Sequence, residues 1–179
     1  HIVNMHVPKG YAGRDPHADL VEFAAQLGIA EPFVGMMTAA HTHNGRVAVE
    51  THAGITVAAI VTAGLSNVSA AGITPPAQMS MGTINTILLI DAALTESALA
   101  NAIITATEAK TLTLIERDVH TREGHLASGT STDSIVVACT GRGARLRYAG
   151  TATVVGWLIA RTVRDALNQS LIAREQTAH

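Results

Sequence analysis

The chain has 179 residues, 47% of them hydrophobic and 15% charged, with a formal net charge of −2. That is enough apolar material for one domain's core and too much for a disordered chain. Aromatics at 3% and the lack of any Lys or Arg run argue against a nucleic-acid partner, and no apolar run approaches the ~20 residues of a membrane helix.

The chain opens at His1 without a signal-peptide pattern. Residues 1–17 hold Pro8, Gly10, Gly13, Asp15 and Pro16, which predict a strand stub followed by a loop. His17–Leu27 sets Leu20, Phe23, Ala24 and Leu27 on one helical face, with Gly28 as the C-terminal cap. Phe33–Ala40 reads as a strand. Asn44-Gly45 gives a turn signal before the alternating strand Arg46–His52, so the two strands are expected to form a hairpin. Ile55–Ala63 and Thr83–Ile90 read as buried strands, separated by a small-residue loop from Gly64 to Pro76.

Thr95 is placed to cap a helix running from Glu96 to about Ile115. Leu99, Ala102, Ile103, Ala106 and Lys110 share one of its faces, and Asn101, Thr105 and Glu108 another. Asp118–Asp133 is a polar loop and Ser134–Cys139 a strand. Gly141 and Gly143 mark a turn before a strand at Arg145–Tyr148. Val154–Ala173 is a long helix with Val155, Leu158, Ile159, Thr162, Val163 and Ala166 inward. The order predicts an α+β fold: a single domain with a mixed or largely antiparallel sheet covered by helices. Cys139, the one cysteine, reads as a small buried hydrophobe in a reducing, cytoplasmic compartment.

Four groups of residues could carry chemistry. The loop Gly129-Thr130-Ser131-Thr132-Asp133 packs three hydroxyls, a glycine and a carboxylate into five residues; it is either a ligand loop or an ordinary Ser/Thr turn. Glu108, in line with Asn101 and Thr105, is a general base if that helix face meets a cleft, and a wet face otherwise. Lys110 falls about 200° round the helix from Glu108, so the two cannot act side by side. Asn85 opens a buried strand, where an amide must be hydrogen-bonded either within the fold or to a ligand, and Asn67 offers a second amide at a strand end. His41, His43 and His52, facing one another across the expected hairpin, would make a metal site; chance clustering among nine histidines is the rival reading.

Six blocks then occur together: Gly35–Ala40, Thr62-Ala63-Gly64-Leu65-Ser66-Asn67, Gly82–Asp91, Thr105–Thr111, Gly129–Asp133 and Tyr148-Ala149-Gly150-Thr151. In this order they resemble the adenosylcobinamide amidohydrolases, over most of residues 1–165. The resemblance implies a hydrolase acting on a linear amide C–N bond. Its substrate would be the amide joining aminopropanol to the corrin ring, and its products adenosylcobyric acid and aminopropanol, in corrinoid salvage. It implies no cofactor and no catalytic metal, the corrinoid being the substrate. Glu108 or Asp133 would be the base, acting on water or on Thr130. Asn67, Asn85 and the amides of the Gly129–Thr132 loop would hold the oxyanion or substrate, with Thr83, Thr105, Ser131, Thr132 and Thr151 as further contacts. The pattern carries histidine where this chain has Ala152, and members extend upstream of the segment matching His1–Tyr11. Two rivals stand beside this reading: a non-catalytic corrinoid-binding module, and a metal-dependent hydrolase using the histidines. Apolar helices on a small domain leave room for a homo-oligomer.

Overall fold

The computed structural model describes residues 1–76 and 82–177. Strand β1 (Ile2–His6) pairs in parallel with β2 (Val34–Thr38). Helix α1 (Pro16–Gln26) connects them; Asp15 caps it by accepting from Ala18 N at 3.1 Å. Gly28 takes the left-handed conformation (φ 72°) that lets Ile29 N reach Ala24 O and Gly28 N reach Ala25 O. These are the two bonds of a Schellman ending, and the expected cap is in place.

The main sheet has four strands in the order β3 (Arg46–His52), β4 (Ile55–Ala63), β6 (Ile84–Asp91) and β9 (Ser134–Cys139). The pairs β3–β4 and β4–β6 are antiparallel, and β6–β9 is parallel. Two short ladders are added among the described residues. One joins β5 (Val68–Ser69) to β8 (Gly129–Thr130), and the other joins β7 (Ala93–Leu94) to β10 (Arg145–Leu146). With α2 (Glu96–Glu116) and α3 (Val154–Thr177), this is the expected α+β fold with a mixed sheet.

The expected hairpin is corrected. β2 does not pair with β3: it lies beside β1, and β3 turns back on β4 instead, bonding Arg46 to Val61 and His52 to Ile55. The turn is Ala53-Gly54, both at positive φ (49° and 77°), a two-residue geometry that matches strand twist. Asn44-Gly45 instead closes a short 3₁₀ turn at Thr42–Asn44. The Asn-Gly signal marked a turn correctly, but the strand that leaves it pairs with its next neighbour across Ala53-Gly54.

The core lies between one sheet face and the two long helices. Val57, Ala59, Val61 and Ala63 of β4 and Ile84, Leu88 and Ile90 of β6 meet Ala98, Ala102 and Ala106 of α2 and Leu158, Ile159 and Val163 of α3. The alanines allow α2 to sit close to the sheet, and each large aliphatic fully buried here contributes about 1.5–3 kcal/mol. Ile103, expected inward, is exposed, because small residues already fill that contact. Cys139 is partly buried against the core at the edge of β9. β1 and β2 cover one end of the opposite sheet face. There Asn85 Nδ2 donates to Asn4 Oδ1 at 2.8 Å and to Met37 O at 2.9 Å. No helix is long and apolar enough to cross a membrane among the described residues.

Candidate functional site

Asp133 ends the Gly129–Asp133 loop and turns its carboxylate back into it. Oδ1 accepts from Ile84 N at 3.0 Å and from Thr130 Oγ1 at 2.6 Å. Oδ2 accepts from Thr130 N at 3.1 Å and from Lys110 Nζ at 2.5 Å. Four donors thus occupy the two oxygens of this one carboxylate. Asp133 is therefore an anchor for the loop, for β6 and for the middle of α2.

Lys110 comes from the core face of α2, between Ala106 and Thr113. Its side chain and that of Asp133 are only 10% and 13% exposed. Helical spacing alone sets Lys110 on the apolar face of α2, with no role evident there. The signal was present: a lysine at a core position must find a counter-charge or remain unburied. Gly129 makes the approach feasible, since a Cβ there would lie 2.7 Å from Lys110 Nζ.

Around this pair the hydroxyls form a short chain. Thr130 and Thr132 both bring Oγ1 to Gly82 O, at 3.0 and 2.7 Å, and Thr132 Oγ1 also lies 2.8 Å from Thr83 Oγ1. Asn67 Nδ2 donates to Ser131 Oγ at 2.6 Å, and Ser131 N donates to Asn67 O at 3.3 Å. One expectation is corrected here. Thr130 N and Ser131 N are already used by Asp133 and Asn67, so these loop amides do not form a ready oxyanion site.

Two clefts meet at this cluster. One, about 340 Å³, is lined by Thr107, Lys110, Thr111, Thr130, Ser131 and Asp133. The other, about 530 Å³, runs past Asn67, Ser131, Pro75, Arg122 and Glu123. Ser69, Ala71 and Ser131 border both. Glu123 has its carboxyl held below the usual range, mainly by its own backbone amide and then by the Thr121 hydroxyl.

The structure thus gathers Asn67, Thr83, Thr130, Ser131, Thr132 and Asp133. Asn85 lies two residues beyond Thr83 on β6, 1% exposed, with its amide nitrogen turned to Asn4 and Met37 and no donor to its Oδ1 among the described residues. The other expected residues separate. Thr105 is buried and donates to Ala149 O at 2.8 Å, whereas Glu108 is exposed and makes no hydrogen bond or ion pair among the described residues. Thr151 and Ala152 are exposed in the turn before α3.

The histidine cluster is also corrected. His6, His41 and His43 stack with centroids 5.2 Å apart, while His52 closes the far end of β3 and meets Trp157 edge-on at 5.5 Å. The length of β3 puts roughly 20 Å between His43 and His52. Without the expected hairpin, these three side chains do not converge, and no group of three potential ligands does so among the described residues.

The model of the family described as adenosylcobinamide amidohydrolase matches residues 1–179. A protein of Methanosarcina mazei named adenosylcobinamide amidohydrolase is 33% identical over 97% of this chain and 84% of its own length. One of that name from Halobacterium salinarum is 36% identical over 66% of this chain and 52% of its own. An uncharacterised protein of Methanocaldococcus jannaschii is 42% identical over 54% of this chain and 38% of its own. With a family match over its whole length, the chain belongs to the adenosylcobinamide amidohydrolase family.

Proposed function

We propose that this protein hydrolyses the amide joining aminopropanol to the corrin ring of adenosylcobinamide, giving adenosylcobyric acid and aminopropanol for corrinoid salvage. The observation that carries the site assignment is the Lys110–Asp133 pair, buried but bordering the cleft beside Ser131 and Asn67. A buried ion pair returns less stability than apolar packing of the same volume, so its placement at a cleft is better explained by chemistry.

Lys110 uses one of its three N–H bonds on Asp133, and no other partner appears among the described residues. In this reading the remaining N–H groups take the carbonyl oxygen of the scissile amide and hold the charge that develops on it. Water adds its oxygen to the carbonyl carbon, the C–N bond breaks, and the amine leaves with a proton from that water. Asp133 positions Lys110, and Thr130 and Thr132 lock the loop. Asn67 and Ser131 bind the polar amide groups of the substrate. The wide neighbouring cleft accommodates the bulk of a corrinoid.

The test is to incubate the purified chain with adenosylcobinamide and look for adenosylcobyric acid by mass spectrometry, with Lys110→Met alongside. Product from the wild type and at least a hundredfold less from a folded Lys110→Met variant is expected. Turnover undiminished in that variant would remove Lys110 from the chemistry. Activity unchanged by chelator is expected in the same assay.

A further inference from the structure

Beside the N-terminal end of α2, away from Lys110, the segment 142–147 carries three arginines. Arg142 is matched by Asp91, 3.2 Å away. Arg145 and Arg147 pair with no carboxylate among the described residues. Between them Leu146 packs on the core, while Arg145 in β10 and Arg147 in the bend that follows are both exposed.

This segment is fixed. β10 is laddered to β7, Thr95 N donates to Leu146 O at 3.0 Å, and Ala149 O accepts from the buried Thr105. Arg145, Arg147, Tyr148, Thr95 and Ser97 line a cleft of about 360 Å³. Tyr148 is 69% exposed, in a chain with only two tyrosines. Glu96, the acidic residue of the first turn of α2, is exposed but does not border the cleft.

Two cationic side chains that line one cleft make it attractive to an anion. Guanidinium forks match phosphate oxygens, and an exposed aromatic ring beside them offers a stacking face for a planar base. We propose that this cleft binds a nucleoside phosphate: phosphates on Arg145 and Arg147, the base on Tyr148. The positive end of α2 adds to the attraction for phosphate. Ser97 and Lys110 are thirteen residues apart on one helix, roughly 20 Å, so this cleft is separate from the amide-hydrolysis site and does not depend on that assignment.

Calorimetric titration of the full chain with ADP, pyrophosphate and adenosine tests the proposal. ADP should bind more tightly than either fragment and more weakly as salt rises. Arg145→Ala with Arg147→Ala should weaken ADP at least about tenfold. Tyr148→Ala should weaken ADP and leave pyrophosphate unchanged. All these positions are exposed, so the variants should keep the wild-type circular dichroism, and turnover of adenosylcobinamide measured in parallel should be unaffected. No ADP binding, ADP binding untouched by the arginine substitutions, or pyrophosphate binding as tight as ADP would overturn the assignment.

Discussion

Lys110 Nζ stands 2.5 Å from Asp133 Oδ2, joining the middle of α2 to the loop that feeds β9. Breaking one side of such a pair strands the other charge in a poor dielectric. Lys110→Met is therefore expected to cost about 3–5 kcal/mol in urea denaturation. Asp133→Asn should also destabilise, through both the lost charge and the donors it can no longer fully satisfy. The double variant should lose clearly less than the sum, and strict additivity would show that the pair is not coupled.

Gly129 lies against that pair, and a methyl group there would crowd Asp133 Oδ2 first and Lys110 Nζ next. Gly129→Ala should force the ammonium away from Asp133 and lower turnover more than tenfold. Its stability loss should remain smaller than that of Lys110→Met, because the charges can separate into the cleft. Steady-state kinetics beside a thermal melt would distinguish the two effects.

Asn85 points its amide nitrogen at two acceptors, Asn4 Oδ1 and Met37 O. Asn85→Asp would turn an oxygen toward both of them, in a position that water hardly reaches. A loss of roughly 3 kcal/mol or more is expected from denaturant titration. Near-neutral stability would indicate that the strand end is wet.

Glu108 projects from the exposed side of α2. Glu108→Gln should leave stability within about 0.5 kcal/mol of wild type and turnover within a factor of two. A loss of activity without a loss of stability would return Glu108 to the catalytic group.

Tyr11 donates its hydroxyl to Asp19, and that bond is the main reason its pKa is pushed up to about 12. A folded-state value above the ordinary 10 means the contribution is fully present below pH 10 and is lost as the pH rises through about 12. Absorbance titration should show a tyrosine step near pH 12 that Tyr11→Phe removes and Asp19→Asn moves downward. A single step near pH 10 covering both tyrosines would contradict the bond.

The candidate site was partly legible because polar residues interrupting apolar strands are conspicuous. Asn67, Thr83, Asn85 and the Thr130–Asp133 loop all stood out in this way. Lys110 did not acquire a role, because helical periodicity records which face a residue occupies and not what it meets there. The same blindness grouped Thr105 with Glu108, although one is buried against Ala149 and the other is in solvent.

Local patterns in the sequence were enough to determine the α+β class, the long helices with the Thr95 cap, and the strands read at Ile55–Ala63, Thr83–Ile90 (observed at Ile84–Asp91) and Ser134–Cys139. These depend on periodicity and capping, which are carried by neighbours in the chain. Only the tertiary structure decided that β2 joins β1, that His52 stands apart from His41 and His43, and that Asp133 spends its oxygens on Lys110, Thr130 and Ile84. Each of those outcomes is a competition among partners far apart in sequence, settled by which apolar faces fit and which buried charges find a counterpart.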